Sequence, residues 1–219
     1  MTAITRARVR VIVLVGAGLP AAWLAWCALR GDLGANPIEE VTHFTGDWTL
    51  RFLLLTLAVT PLRRFTGWNA LISYRRPLGL AAFFYGSLHF LIYFGLDHFF
   101  DIDAIAEDIR KRPYVTAGFV AFSCMVPLAA TSTREWVRRL GKRWAQLHRL
   151  VYVAAIAGVV HYLWLVKSDI RRPALYGAVL AVLLAARLRF PSRRGGRRAV
   201  GAAPVTDQSL RARRRRAGV

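Results

Sequence analysis

The sequence predicts an all-α, polytopic membrane protein built as a six-transmembrane-helix bundle. The 219 residues are 55% hydrophobic and carry a formal net charge of +20. Apolar stretches of about 20 residues, the length that spans a bilayer core, recur between short charged segments. A soluble domain of this length is rarely both so apolar and so basic. Basic loops that face anionic lipid therefore explain the charge better than nucleic-acid binding does.

The first of the predicted spans follows three arginines, as the apolar part of a signal peptide would. No small-residue cleavage site follows it and five further spans do, so it is predicted to be a membrane anchor. Around the six-span domain of residues 10–190 we predict a short N-terminus, residues 1–9, and a basic tail, residues 191–219. This tail is too polar and too short to fold alone, so we expect it either to be disordered and only fix the topology or to bind lipid headgroups through its charge. The six spans are predicted at roughly 10–29, 48–65, 77–96, 114–133, 147–166 and 173–190.

The charges of the connections predict an orientation. One set is basic, with Arg63 and Arg138 among its members, and lies on the same side as both termini. The other set is acidic and includes Asp103. Among the 12 acidic residues, only Glu135 and Asp207 fall on the basic side. The positive-inside rule therefore predicts that the basic side and both termini face the cytoplasm.

Three histidines, His89, His148 and His161, lie in apolar stretches. An ionisable residue inside a membrane indicates a functional site, and histidine is a common ligand of heme iron. His148 and His161 are 13 residues apart on the predicted fifth helix, which is about 20 Å, so they cannot bind one iron together. His89 and His161 lie at similar depth on parallel spans. This pattern predicts a bis-histidine b-type heme between spans three and five, although either histidine could instead be a packing residue bonded to a carbonyl.

His148 has no histidine partner at its depth on span three. Arg75 and Arg76 lie there instead, with Arg149 nearby in sequence. Arginine forms bidentate bonds to carboxylate and phosphate, so these residues could bind heme propionates or a flavin phosphate. They could equally mark the boundary of the membrane.

The remaining candidate residues indicate no other chemistry. His43 and His98 fall in the acidic connections and are predicted to be solvated or interfacial residues, not iron ligands. Cys27 and Cys124 are far apart and form no CxxC motif, so neither zinc nor c-type heme attachment is indicated. The motifs of serine hydrolases, zinc proteases and nucleotide-binding loops are absent from the sequence.

One long run of sequence carries a family resemblance. The segment Leu140-Gly141-Lys142-Arg143-Trp144-Ala145-Gln146-Leu147-His148-Arg149-Leu150-Val151-Tyr152, followed by His161-Tyr162-Leu163-Trp164, resembles the heme-binding membrane subunit of the bacterial protein-methionine-sulfoxide reductase system. This family belongs to the ferric-reductase-like transmembrane superfamily. The resemblance runs from about Leu33 to Trp164 and includes the segments Thr60-Pro61-Leu62, Arg75-Arg76-Pro77-Leu78-Gly79-Leu80 and Leu88-His89.

The resemblance implies an electron-transfer subunit of the bacterial inner membrane, not a self-sufficient enzyme. It implies heme b associated with His89, His148 and His161, and it implies FMN, for which the three arginines are the candidates by charge. The electrons would come from the quinone pool or a cytoplasmic flavin reductase. They would pass to a periplasmic molybdopterin-containing catalytic partner that reduces methionine sulfoxide in oxidised proteins, docked on the loop from Asp97 to Arg112.

Three questions stay open at this point. Members of the wider superfamily typically hold two hemes on paired histidines, whereas span three offers only His89, so a second heme is in doubt. A stand-alone ferric or cupric reductase would use the same heme core. A transporter or an assembly factor with structural histidines would bind no heme at all.

Overall fold

The computed structural model describes residues 3–189, and all the regular secondary structure in this part of the chain is helical, with no strand. A 3₁₀ turn, Asn69–Tyr74, precedes the third helix and a π-helical turn, Tyr93–Asp97, follows it. The predicted basic tail lies outside the described residues. The helices are α1 Ala3–Arg30, α2 Pro37–Thr66, α3 Arg75–Ile92, α4 Ile102–Lys111, α5 Pro113–Ala130, α6 Arg134–Leu140, α7 Lys142–Leu147, α8 Leu150–Leu165 and α9 Arg171–Arg189.

The all-α, polytopic membrane class is confirmed. Four segments of the described chain are long and apolar enough to cross a membrane: Val11–Arg30, Asn69–Asp97, Pro113–Ala130 and Lys142–Leu165. The second predicted span lies within α2, and the sixth predicted span lies within α9 up to residue 189; both helices are more highly charged. The count of six spans therefore stays a prediction.

Helix α2 is longer than its predicted span. Asn36 caps its N-terminus by accepting a hydrogen bond from the backbone N–H of Glu39, and Pro37 occupies the first turn. At the other end, Gly67 adopts the left-handed conformation, with φ of 69°, which glycine tolerates and which commonly ends helices. Because α2 begins 11 residues before the predicted start at residue 48, His43 lies on this helix. The prediction that it lies in a connection is wrong.

Two helical hairpins form the core of the bundle. Helix α2 packs antiparallel to α3, α5 packs antiparallel to α8, and the two pairs contact each other through α3–α5 and α2–α8. Ala82, Ala154 and Ala155 are fully buried at these contacts, and such small side chains let membrane helices approach closely. Helix α1 packs on α3, where the buried Tyr85 donates a hydrogen bond to the carbonyl of Ala17 at 2.6 Å.

The segment that contains the fifth predicted span is interrupted near its start. His148 and Arg149 lie in a turn between α7 and α8. Here the N–H of Arg149 bonds to the carbonyl of Gln146 at 3.0 Å, a bond between residues three apart that tightens the helix. His148 therefore lies in the break, not within the helix that carries His161.

The connection between α3 and α5 is folded around one carboxylate. Asp101 caps α4 by accepting bonds from the N–H groups of Asp103 and Ala104. The buried Asp108 lies 3.2 Å from Nη1 of Arg112 and 3.2 Å from Nε2 of His98. His98, predicted to be a solvated or interfacial residue, is half-buried, because its imidazole lies against Asp108 of α4.

We call the end of the bundle where α2 and α5 begin the acidic end. It carries Asp97, Asp108 and the other residues of the α3–α5 connection. The opposite end, where α3 and α8 begin, is the basic end, with Arg63, Arg76 and Arg149.

Candidate functional site

The structure brings His89 and His161 together. His89 is on α3 and His161 is on α8, and their ring centroids are 6.1 Å apart with the ring planes at 79°. This pairing is the one predicted from the similar depths of the two histidines in the sequence. Both helices run from the basic end to the acidic end.

Each of these imidazoles is held by a backbone carbonyl from another helix. Nδ1 of His89 lies 2.9 Å from the carbonyl oxygen of Thr42 on α2, and Nδ1 of His161 lies 2.7 Å from that of Tyr114 on α5. A carbonyl oxygen can only accept, so in the neutral ring Nδ1 must carry the proton. Nε2 of each ring is then the unprotonated nitrogen that can bind a metal. A second partner that fixes the ring in this way is usual for metal-binding histidine.

A cavity of about 500 Å³ opens between α2, α3, α5 and α8, and both histidines line it. This volume lies in the range of about 300–1,000 Å³ that is common for cofactor sites. The walls are mostly apolar and include Leu50, Phe122 and Met125. Charged residues line the acidic side of the cavity, among them Asp97, Arg112 and Arg172.

Two glycines make room for the rings. A Cβ added to Gly118 would lie 2.9 Å from Nδ1 of His161, and one added to Gly46 would lie 3.1 Å from Cε1 of His89. A side chain at Gly118 would therefore force the ring of His161 to move, and one at Gly46 would crowd the ring of His89. Gly86 and Gly158 also line the cavity, and a Cβ added to Gly158 would lie 3.1 Å from the side chain of Leu50, so α2 and α8 also pack closely here.

The arrangement fits a heme iron with two axial histidines. A metal–imidazole bond of about 2 Å on each side would place the ring centroids of such a pair roughly 6 Å apart. A porphyrin supplies the other four nitrogen ligands, so two histidines are sufficient. Among the described residues there is no group of three or more histidine, cysteine, aspartate or glutamate side chains that could hold a bare metal ion. The site is therefore suited to a metal that brings its own equatorial ligands.

His148 lies at the basic end, apart from this pair. Its ring stacks on the indole of Trp144 with centroids 3.8 Å apart, and its Nδ1 lies 3.2 Å from the carbonyl oxygen of Trp144. Arg75 is near enough to interact with it electrostatically. No second histidine joins His148 within the described chain, so its role as a ligand stays a prediction.

The three predicted arginines differ in burial. Arg75 is half-buried and lies near Arg187, whereas Arg76 and Arg149 are exposed. Two residues that the sequence analysis missed, Arg64 and Arg187, are also half-buried at this end. A signal for Arg187 was present, because it is a charged residue inside a predicted span.

Comparisons with known proteins identify the family. The model of the ferric reductase like transmembrane component family matches residues 45–159, which include His89 and His148. Three similar proteins are each named protein-methionine-sulfoxide reductase heme-binding subunit MsrQ. The one from Herminiimonas arsenicoxydans is 51% identical over 82% of this chain and 84% of the relative. The one from Rhodospirillum rubrum is 52% identical over 86% of this chain and 92% of the relative. The one from Ralstonia nicotianae is 50% identical over 91% of this chain and 94% of the relative. The chain therefore belongs to the ferric-reductase-like transmembrane family and, within it, to the heme-binding subunits of the protein-methionine-sulfoxide reductases.

Proposed function

We propose that this chain is a membrane electron-transfer subunit that binds a b-type heme between His89 and His161. The observation that carries the proposal is the paired geometry of the two imidazoles, 6.1 Å apart and each tied through Nδ1 to a carbonyl. The names of the relatives, which describe a heme-binding subunit, support the same cofactor.

The residues of the chain would hold the heme and influence its reduction potential. A bound heme would supply a one-electron couple between ferric and ferrous iron. His89 and His161 would hold its iron and set its depth, while the carbonyls of Thr42 and Tyr114 orient the two rings. The apolar walls keep water away and so influence the reduction potential.

The substrate would be reduced on a partner protein. Conversion of methionine sulfoxide to methionine consumes two electrons and two protons and releases one water, so a one-electron carrier must deliver twice per turnover. We propose a periplasmic molybdopterin-containing catalytic subunit as the acceptor. As donor we propose the quinone pool or a cytoplasmic flavin reductase, with FMN as a second cofactor. His148, Arg75, Arg76 and Arg149 are the candidates for cofactor contacts at the basic end.

The location follows from the charges. The positive-inside rule places the basic end in the cytoplasm, and we propose a multi-pass protein of the bacterial inner membrane with both termini in the cytoplasm. The acidic end, with the heme pair near it, then faces the periplasm and the proposed acceptor. Electrons that enter at the basic end would leave from the side where the partner docks.

The first experiment is a reduced-minus-oxidised visible spectrum of the purified protein with His89→Ala, His161→Ala and His148→Ala alongside. We expect a b-type heme spectrum in the wild type that is lost in His89→Ala and in His161→Ala. The His148→Ala spectrum reports whether a second heme depends on the basic end. A colourless wild type, expressed with adequate heme, would rule out the cytochrome and leave a transporter or an assembly factor.

The alternative of a stand-alone ferric or cupric reductase needs a different measurement. The dithionite-reduced protein is mixed with ferric citrate in one experiment and with the catalytic subunit and a methionine sulfoxide peptide in the other. Rapid reoxidation of the heme by ferric citrate without the partner would favour the reductase. Reoxidation that requires the partner and the peptide supports the proposal.

A further inference from the structure

The carbonyl of Thr42, which holds His89, also accepts a hydrogen bond from a buried hydroxyl. Oγ1 of Thr45 lies 3.0 Å from this carbonyl oxygen and 2.8 Å from that of Val41, so the hydroxyl proton is shared between two acceptors. Nδ1 of His89 lies 2.9 Å from the same oxygen of Thr42. Because Thr45 is fully buried, its hydroxyl has these carbonyls as partners in place of solvent water.

The helix itself brings a third donor to this oxygen. In an α-helix the N–H of each residue donates to the carbonyl four residues earlier, and in α2 the residue four positions after Thr42 is Gly46. Gly46, Thr45 and His89 therefore all direct a proton at one carbonyl, whose oxygen has only two lone pairs. The hydroxyl of Thr45 and the imidazole of His89 compete for this acceptor.

The carbonyl that holds the other histidine has no such competitor. Tyr114 accepts from His161 at 2.7 Å, and Gly118 supplies the helical N–H four residues later. The residue three positions after Tyr114 is Ala117, which has no hydroxyl, whereas the corresponding residue of α2 is Thr45. Both helices thus place a carbonyl and a glycine against a histidine ring, and they differ by one hydroxyl. The shorter distance is the one at the carbonyl with fewer donors.

We propose that Thr45 is a positioning residue that weakens the hydrogen bond of His89 and so raises the reduction potential of the heme. This inference rests on the proposed heme between His89 and His161. A strong bond from Nδ1–H gives an imidazole more anionic character and makes its Nε2 a better electron donor to iron. Ferric iron carries the higher charge and gains most from such a donor, so a strong bond lowers the potential. The Thr45 hydroxyl makes His89 the weaker donor of the two axial ligands.

The test compares midpoint potentials of the purified full chain, titrated by visible absorbance. Thr45→Val keeps the shape of the side chain and removes the hydroxyl, whereas Thr45→Ser keeps the hydroxyl. Thr56→Val is the matched control, because Thr56 is also buried, donates to the carbonyl of Phe52 at 2.8 Å, and lies 14 residues from Thr42 on the same helix. Ala117→Thr introduces on α5 the hydroxyl that α2 has.

We expect Thr45→Val to have a lower potential, with a ferric-to-ferrous ratio at least about threefold higher than that of the wild type at the wild-type midpoint. Thr45→Ser and Thr56→Val should keep the wild-type potential, and Ala117→Thr should raise it. An unchanged potential in Thr45→Val, or an equal fall in Thr56→Val, would overturn the proposal. If Thr45→Val loses its heme, a second measurement decides.

This second measurement needs no heme. In protein that contains isotope-labelled histidine, the NMR signal of the Nδ1-bound proton moves downfield as its hydrogen bond becomes stronger. We expect a downfield shift for His89 in Thr45→Val and none for His161. The absence of this shift overturns the proposed role of Thr45 with or without a cofactor. A shift in a protein that binds no heme would instead support the competition at Thr42 and overturn the proposed cofactor.

Discussion

At the scale of single residues, the two histidines are held by helices other than their own. His89 on α3 is tied to α2 through Thr42, and His161 on α8 is tied to α5 through Tyr114. Each ring therefore has a fixed tautomer and a fixed direction that need no iron. Such preorganisation raises ligand basicity and lowers the cost of binding.

Gly118→Ala tests whether this positioning matters. Replacement of a helical glycine by alanine normally stabilises a protein by about 0.5–1 kcal/mol. Here the new Cβ would lie 2.9 Å from Nδ1 of His161, so the ring must move away from the carbonyl of Tyr114. We expect Gly118→Ala to lose most of its bound heme, measured as heme per protein from the visible spectrum.

The matched control is Gly79→Ala on α3. Its Cβ would meet the side chain of Thr56 at 3.7 Å, an ordinary contact, so heme content should stay at the wild-type level. Equal heme content and equal midpoint potential in both variants would show that the packing of Gly118 against His161 does not position the ligand.

At the scale of helices, α2 contains a carbonyl without a donor in its own helix, and a side chain of α9 supplies the missing donor. Because Pro61 has no N–H, the carbonyl of Leu57 has no hydrogen-bond donor within α2. It accepts a hydrogen bond from Arg187 instead, which is 130 residues away in sequence. This bond fastens α9 to the hairpin of α2 and α3. A carbonyl left without a donor in a buried position costs about 1–3 kcal/mol.

A double-mutant cycle with Pro61→Ala and Arg187→Leu measures this coupling. Arg187→Leu alone should destabilise the protein, since it removes the donor to Leu57. Pro61→Ala restores a backbone N–H that can take over this role, so it should be more stabilising in the Arg187→Leu background than in the wild type, by about 1 kcal/mol. The measurement is unfolding in detergent micelles. Identical effects of Pro61→Ala in the two backgrounds would contradict this account.

Helix α4 depends on a buried carboxylate. Asp108 lies within 3.2 Å of both His98 and Arg112, and the hydroxyl of Tyr93 donates to it at 3.4 Å. Asp108→Ala removes the common partner of all three groups, so residues 102–111 should exchange amide hydrogen several-fold faster. Glu107→Gln is the control, because Glu107 is exposed and pairs with Lys111 on the same helix. Unchanged exchange in Asp108→Ala would show that apolar contacts alone hold α4.

The sequence predicts those features that depend on the pattern of neighbouring residues. Hydropathy predicts the apolar helices, and the constant rise of a helix is enough to place His89 and His161 at one depth. The N-terminal extension of α2 to Pro37 was not predicted, because Glu39, Glu40 and Asp47 interrupt the apolar pattern there. The contact of Arg187 with Leu57 could not be predicted either, since that pairing depends on how distant helices pack.

At the scale of the whole molecule, the two ends differ in charge and in chemistry. The acidic end carries the α3–α5 connection and lies near the histidine pair, whereas the basic end carries His148 and the three half-buried arginines. The proposed carrier would accept electrons at the basic end and donate them at the acidic end. The exposed carboxylates at the start of the α3–α5 connection, Asp97, Asp101 and Asp103, also offer a charge pattern that a partner with a basic patch would recognise, mainly through the rate of association.

Charge reversal on α4 tests this docking surface. Asp103 is exposed in the first turn of α4 and neither caps the helix through its side chain nor contacts Asp108. We expect Asp103→Lys to slow electron transfer to the catalytic subunit several-fold at low salt, with an unchanged heme spectrum. The difference should shrink as ionic strength rises, because screening weakens the attraction. Glu135→Lys makes the same charge change at the basic end, where Glu135 pairs with Arg139, so it should leave the rate of transfer unchanged. If Asp103→Lys transfers electrons at the wild-type rate, or if Glu135→Lys slows transfer equally, the charge of α4 does not influence association with the partner.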